Sequence, residues 1–526
     1  MSDSSSSSKS TKHDSGNNST EKSTGRPLRV AFVHLDWGIG GAEQLMLQLA
    51  QASVEVGHSV QLWTTHCDPN HCFAPLKPHT GTLHPYLQVC GEWIPQDLGG
   101  AGRAICSTLR VIYLAYCLCH RKRSRHEPLP DVIVLDVLPT PLLFFQWWMP
   151  SAALLFYCHF PDQLLTSNAT IRVDNDDSKD DQSLPSEPSS LPKANRSLYR
   201  KLLDFLEDST MPFADAIVVN SQFTQKVVQK TFASLQSKEL PVLYPALDTT
   251  ALDQKPITAV ANSTFDSKPL VSLNRYERKK NVLLLLEAVQ WIQQRYPSVT
   301  LPPIIIAGGY DKNNIENVEY RGELQHYVEQ HNLQSIVTFQ QSISDAQRTQ
   351  LLREALAVIY TPTNEHFGIV PLEAMYCETP VVAVNTGGPT ETILHEWTGF
   401  LCDPTPAAFG RALLAVIQDP VKAQAMGREG RKHVIKTFGS TRMVQEWRTL
   451  CQETVLKGQQ RQHDFAVTYH AIRILGYLAD AIVTFVIMWL LTVLFRTIGI
   501  LHASESIWGA AHRAVGWRPA YDTGEL

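Results

Sequence analysis

The chain has 526 residues, a net charge of −5, 44% apolar residues and ten cysteines. That length calls for two or more domains, each with its own core. So small a charge gives no electrostatic footprint for nucleic acid. The cysteines are scattered, with Cys67–Cys72 and Cys117–Cys119 the only near neighbours, which excludes a disulfide framework and points to a reducing compartment.

Residues 1–26 are Ser, Thr, Lys and Asn with almost no apolar side chain. Such a stretch cannot bury enough surface to order itself, so it reads as a disordered tail without a signal peptide. Residues 28–35 (LRVAFVHL) have the short, apolar, β-branched character of a buried parallel strand. They end in Gly38-Ile39-Gly40-Gly41-Ala42-Glu43 and enter an apolar helix to about Ala52; a second strand follows at 59–65. Strand, glycine-rich turn, helix and strand make a βαβ unit. Gly40 and Gly41 allow close backbone approach beside a helix start, which makes them candidate donor-binding positions. A dinucleotide fingerprint is disfavoured, because Glu43 stands where the third glycine belongs and Trp63-Thr64-Thr65 lacks the acidic residue that holds a ribose. His66-Cys67-Asp68-Pro69-Asn70-His71-Cys72 has metal-binding residue types without zinc spacing, and reads as a structured loop.

Residues 105–119 (ICSTLRVIYLAYCLC) predict an apolar helix, followed by the basic run His120-Arg121-Lys122-Arg123-Ser124-Arg125. Two readings stay open: a helix on an anionic membrane surface, or a buried helix whose basic end complements its dipole. Residues 139–148 are also apolar, but their prolines argue against a clean spanning helix. Strands are expected at 131–136, 153–159 and 214–220, with Ser221 as a helix cap. Residues 168–197 are rich in Asp, Ser, Pro and Asn and predict a disordered insertion with two glycosylation sequons, at Asn168 and Asn195. Its Asp174-Asn175-Asp176 lacks a flanking strand and reads as solvated charge, so no metal ligand is assigned.

A second series of elements follows a break near 248–267: strands at 270–273, 303–307, 336–339, 357–360 and 380–384, and helices between, the first at 281–293. Two such series predict an α/β fold of two Rossmann-like, doubly wound domains facing a cleft, 27–255 and 256–457. Residues 474–495 then have the length of a bilayer-crossing helix, with Asp480 as their one charge and Arg473 and Arg496 as brackets. With Trp508 and Trp517 beyond them, residues 465–526 predict a membrane-associated tail.

The chemistry concentrates in the second domain. Arg275, Lys279 and Lys280 follow a strand end, where a parallel sheet faces its ligand. Fixed cations in a dry cleft stabilise the charge that develops as a nucleoside diphosphate departs. Residues 361–392 (TPTNEHFGIVPLEAMYCETPVVAVNTGGPTET) place Glu365 and Glu373 eight residues apart. A helix from about Pro371 puts Glu373 in its first turn, where the dipole favours a carboxylate. The free N–H groups of His366, Phe367, Gly368, Ile369 and Val370 then face an anion or polar ligand. Carboxylates for sugar hydroxyls beside amides for phosphate suit a nucleotide-sugar.

This stretch resembles the E-x7-E signature of retaining glycosyltransferases with the GT-B fold, and Arg275, Lys280 and Asn281 match that family's basic pattern. HLDWGIGGAE, THCDPNHCF, LLFYCHFPDQLL, VVNSQFT, VLYPAL, NRYERKKN, AGGYD and TPTNEHFGIVPLEAMY extend the resemblance to the dolichol-pathway α-1,3/1,6-mannosyltransferase family over about residues 28–456. The resemblance implies GDP-mannose as donor and a mannosyl-chitobiosyl-diphosphodolichol acceptor receiving one α-1,3- and one α-1,6-linked mannose. No metal or other cofactor is expected, because no Asp-x-Asp stands in a suitable context and Arg275 with Lys280 can neutralise the diphosphate. It implies an endoplasmic reticulum membrane location with the catalytic domains on the cytosolic side, among other dolichol-pathway transferases. It assigns catalytic positions to Glu365, Lys280, Arg275 and His159: Glu365 on the mannose hydroxyls, His159 on the acceptor side. Glu373 falls to the guanosine ribose. Two rivals are a soluble retaining glycan synthase of the same fold and a catalytically dead scaffold of the same pathway.

Overall fold

The computed structural model describes residues 26–97, 102–124, 128–165, 198–253 and 268–464, with a few positions between 484 and 493. The expected disordered tail at 1–26, the insertion at 168–197 and the membrane-associated tail at 465–526 lie wholly or almost wholly outside the described residues. Among the described residues no helix is long and apolar enough to cross a membrane.

The first domain runs β1 (Arg29–Asp36), α1 (Gly41–Glu55), β2 (Ser59–His66), β3 (Leu87–Val89), α2 (Arg103–Ser124), β4 (Val132–Asp136), α3 (Pro141–Trp148), β5 (Ala153–Cys158), α4 (Asp162–Leu165), α5 (Leu198–Thr210), β6 (Ala216–Val219), α6 (Gln222–Thr231) and α7 (Thr250–Asp253). Its strands pair in parallel in the order β3-β2-β1-β4-β5-β6, with Val30 beside Val60 on one side and Val132 on the other. The central strands are apolar through their middles because helices cover both faces; their polar residues, Arg29, His34, Asp36 and Asp136, lie toward the strand ends. Val30 and Phe32 enter one core layer with α1; Ala31 and Val33 enter the other with α2 and α3.

The second domain repeats the plan: β7 (Leu270–Leu273), α8 (Leu283–Arg295), β8 (Ile304–Gly308), α9 (Ile315–Gln330), β9 (Val337–Gln341), α10 (Asp345–Glu354), β10 (Ala357–Tyr360), α11 (Ile369–Tyr376), β11 (Val381–Val384), α12 (Pro389–Thr392), β12 (Gly399–Cys402), α13 (Pro406–Gln418) and α14 (Pro420–Phe438). The parallel order is β12-β11-β10-β7-β8-β9, the same doubly wound arrangement about β7. Each sheet therefore turns its carboxyl strand ends, and the loops after them, toward a ligand crevice.

Helix α15 (Ser440–Asp464) departs from the sequence expectation, which carries the second domain to 457. Its Met443, Val444, Trp447, Leu450 and Cys451 complete the first domain's core. Trp447 is fully buried and its indole N–H donates to Ser53 Oγ at 2.8 Å; Arg461 bonds Asp215 at 2.7 Å. The chain thus crosses back and clamps the two domains together.

Two open points in the first domain close. Leu114, Ala115, Leu118 and Cys119 of α2 are buried in the sheet's core, so this apolar face is occupied by protein and not by a membrane. Residues 66–72 form a turn in which Asp68 accepts from the backbone of Asn70 and His71, and Cys72 is buried. Cys90 and Cys117 form one disulfide, joining a loop to α2 across a separation that spacing alone does not single out; the other eight cysteines are free.

Candidate functional site

The basic loop after β7 is shaped by local geometry. Residues 278–280 make one 3₁₀ turn, and Asn281 closes it at φ 47°, a left-handed conformation that asparagine tolerates better than most residues. Thr361 Oγ1, just past β10, donates to the Lys280 carbonyl at 2.8 Å and ties this loop to the glutamate loop. Lys280 Nζ then lies 2.7 Å from Glu365 Oε2, with both side chains largely withdrawn from solvent. Burial pushes the Glu365 carboxyl up, but Lys280 outweighs it and holds the group below its ordinary value. Arg275 sits at the rim, 62% exposed, 3.0 Å from Glu277; Lys279 meets the same Glu277 at 3.1 Å. The structure therefore brings Lys280 and Glu365 into direct contact, while Arg275 stays at the exposed edge, paired with Glu277.

The Gly387-Gly388-Pro389 turn explains the shape of the Glu365 loop. Gly387 has φ +69°, and a Cβ there would come within 2.6 Å of the Glu365 carbonyl; one on Gly388 would come within 2.1 Å of the Phe367 carbonyl. Gly388 N–H donates to that Glu365 carbonyl at 2.7 Å. Two glycines are needed because one backbone lies directly on the other.

Helix α11 begins at Ile369, behind a left-handed Gly368, and not near Pro371 as the sequence predicts. Glu373 consequently falls in the second turn, where the helix dipole does not account for its position. What holds it instead is Arg348 of α10, which donates to Glu373 Oε2. Burial still pushes the Glu373 carboxyl up to about 7, against the pull of Arg348. Ile369 and Val370 open the helix, so their N–H groups have no intrahelical partner and, among the described residues, are open to a ligand. Phe367 serves the core: its ring packs on Tyr244 and Phe438. His366 stacks on Phe160 of the first domain at 3.8 Å. Burial pushes its imidazole down to about 4, keeping it neutral.

That stack is one of several contacts that join the two domains near their strand ends. Ser221, which caps α6 through Thr224 N–H, donates its hydroxyl to the His366 carbonyl at 2.6 Å. Glu391 accepts from the Gln222 and Phe223 N–H groups at 2.8 and 2.7 Å and from Tyr244 Oη at 2.9 Å. These contacts set His159, the neighbour of Phe160, beside the Glu365 loop.

His159 is held by groups that sequence reasoning missed. Its Nε2 is 3.0 Å from Asp136 Oδ2 at the end of β4; Asp136 Oδ1 is 2.7 Å from His34 Nδ1 in β1; and His34 Nε2 is 3.7 Å from Glu43 of α1. Burial opposes charge on both members of the central pair. Their mutual attraction prevails, raising His34 to about 10 and lowering Asp136 to about 2. An ionised Asp136 therefore fixes the His159 ring. The available signal was an aspartate at the carboxyl end of a buried strand, together with the His34 and Glu43 of one motif. Gly40 and Gly41 stand at the start of α1, on the first domain's side, and the Glu43 carboxylate folds back over Gly40.

Two doubly wound domains joined near their strand ends, with a Lys–Glu pair beside a helix N-terminus, define a GT-B glycosyltransferase. Family models agree: "Glycosyltransferase Family 4" matches residues 39–251 and "Glycosyl transferases group 1" matches 254–433. The fold is shared with a sucrose-phosphate synthase from Thermosynechococcus elongatus (TM-score 0.58, 18% identity, 81% of this chain and 99% of that one). It is shared also with Anabaena HepE in complex with UDP (TM-score 0.54, 18% identity, 81% and 100%). In sequence the chain is 41% identical to the human α-1,3/1,6-mannosyltransferase ALG2, over 78% of this chain and 92% of that protein. It is 37% identical to that of Rhizomucor pusillus, over 79% and 89%. The chain belongs to the α-1,3/1,6-mannosyltransferase family, and it is a glycosyltransferase.

Proposed function

We propose that this chain transfers mannose from GDP-mannose to a mannosyl-chitobiosyl-diphosphodolichol acceptor, forming one α-1,3 and one α-1,6 linkage with retention of configuration. The observation that carries the reading is the Lys280–Glu365 pair set across the domain junction from His159. Glycosyl transfer breaks the bond between the sugar and the diphosphate, and charge grows on the departing nucleotide. Lys280, Arg275 and the first N–H groups of α11 meet that charge without a metal ion. Glu365 takes the mannose hydroxyls, Glu373 the ribose, and Gly40 and Gly41 admit the donor from the first domain. His159, oriented by Asp136, attends the acceptor. A lipid-linked acceptor calls for a membrane, so residues 465–526 anchor the enzyme to the endoplasmic reticulum with both domains on the cytosolic face.

The test is incubation of the purified full chain with GDP-mannose and a phytanyl-linked mannosyl-chitobiosyl diphosphate. Mass spectrometry should show products heavier by one and then two hexoses. No transfer would leave the scaffold reading standing; transfer only to an unlipidated glucan would favour the soluble synthase.

A further inference from the structure

Toward the other edge of the first domain's sheet, a buried arginine keeps its Nε without a hydrogen-bond partner among the described residues. Arg110 of α2 is only 4% exposed, and its Nε has no partner among the described residues. A guanidinium taken out of water is costly unless its donors are used. Asp36, at the end of β1, and Glu92, just past β3, lie within electrostatic reach of it, and neither closes an ion pair to it among the described residues. His66 Nδ1 is 3.4 Å from Glu92, and the His66 carbonyl accepts from Trp37 N–H at 3.1 Å, so these groups form one cluster. Beside them Trp93 is 46% exposed, held edge-on by Tyr113 at 5.2 Å. Gly91, at φ +111° with its Cα side against the Tyr113 ring, makes the turn that presents Glu92 and Trp93.

Each part suits a sugar. A buried guanidinium donates to an acetamido carbonyl, the carboxylates accept from hydroxyls, and an exposed indole covers the apolar face of a pyranose ring. The charge excludes a diphosphate as the occupant, since two carboxylates within reach of one guanidinium leave a field that repels a dianion. The place fits as well. In the order β2-β1-β4-β5, His66 and His159 end strands three spacings apart, about 14 Å at ~4.8 Å per spacing. A few linked sugars cover that span.

We propose that Arg110, Asp36, Glu92, His66 and Trp93 form a subsite for the N-acetylhexosamine part of the acceptor glycan. The inference rests on the acceptor reading above: the mannose to be extended lies at His159, and the chitobiosyl unit reaches back across β4 and β1 to this cluster. The subsite then selects a glycan of defined length and discriminates against a bare mannosyl lipid.

Two measurements test it with the full chain. Steady-state kinetics with the phytanyl-linked mannosyl-chitobiosyl diphosphate should show Trp93→Ala raising the acceptor KM about tenfold and Glu92→Gln raising it less, with the GDP-mannose KM unchanged in both. Both side chains are exposed, so the variants should fold; Arg110→Lys, which keeps the charge but loses the fork, should behave like Trp93→Ala. Separately, N,N′-diacetylchitobiose alone should bind the wild type in a ligand-observed NMR titration and fail to bind Trp93→Ala. An unchanged acceptor KM in all three variants, or no chitobiose binding by the wild type, overturns the subsite. Absence of any mannose transfer by the wild type overturns the functional reading instead, and the chitobiose titration then judges the subsite by itself.

Discussion

Lys280 Nζ sits 2.7 Å from Glu365 Oε2, joining residues 85 apart in sequence into one partly buried ion pair at the end of the second domain's sheet. The contact holds the two side chains in a fixed mutual orientation. Lys280 is therefore poised to share its charge with a departing diphosphate, while Glu365 stays ionised for a sugar hydroxyl.

Glu365→Gln and Lys280→Ala should each lower kcat by at least about a hundredfold, as loss of a preorganised charge in such a site does. Lys280→Ala should affect kcat more than the donor KM, because the charge it meets is larger after the bond breaks. The double variant should be no slower than the worse single one, because each residue's value depends on the other. Fully multiplicative effects in single-turnover assays would show that the two act independently.

The Glu373 carboxyl, pushed up by burial to about 7, should appear in the pH profile. Its charged form accepts from ribose hydroxyls, so kcat/KM for GDP-mannose should fall as pH drops below about 7. For stability the sign is the reverse: an acid whose folded pKa is raised stabilises fully below its unfolded value, and that contribution is lost as pH rises through about 7. Glu373→Gln should flatten the acid limb. A limb of the same shape in the variant would assign it to another group.

The His34–Asp136 pair should support the fold as well as His159. Asp136 is fully buried and His34 nearly so; removing one partner of a buried pair costs roughly 3–5 kcal/mol. The Asp136 contribution is complete above the carboxyl's ordinary 3.8 and is lost as pH falls through about 2. That of His34 is complete below 6.5 and is lost as pH rises through about 10. The melting-temperature gap between wild type and His34→Gln should therefore be widest at mildly acidic pH and shrink from neutrality toward pH 10. A gap that does not change with pH would mean the ring is held by packing alone.

Much of this architecture is legible in the residues. β7 and β10 fall at the positions expected, because short β-branched runs flanked by turns admit little else. β3 and β12 are three and four residues long and offer no such run. The start of α11 is displaced because a left-handed Gly368 ends the loop earlier than Pro371 suggests. The return of α15 to the first domain is a tertiary choice: Trp447 and Cys451 read as any amphipathic helix until the first domain's core is seen to need them. The same holds for Asp136, whose partners come from β1 and the β5 loop, over a hundred positions away in the case of His34.

Transfer should persist in excess EDTA. Lys280, Arg275, Lys279 and the start of α11 can oppose the diphosphate charge, and the sequence's one Asp-x-Asp, Asp174–Asp176, sits in a low-complexity stretch with no flanking strand pattern. Activity lost on chelation and restored by manganese would refute metal independence.

The domain junction depends on one carboxylate more than its surface position suggests. Glu391 accepts from two N–H groups at the start of α6 and from Tyr244, across 169 positions of sequence to Gln222. Hydrogen bonds to a charged group contribute about 1.5–3 kcal/mol each, and a carboxylate at a helix start gains from the dipole as well. Neither Glu391 nor Tyr244 is assigned a part in the chemistry, so Glu391→Ala should act through closure alone. The contact it shares the junction with, Ser221 to the His366 carbonyl, is too near the glutamate loop to give so clean a test. Without Glu391 the closed arrangement, which sets Phe160 on His366 and His159 beside Glu365, should be less populated. Turnover should fall about tenfold while the donor KM changes little, and small-angle scattering of the free enzyme should show a larger radius of gyration. An unchanged radius together with native turnover would mean that α15 alone keeps the domains closed.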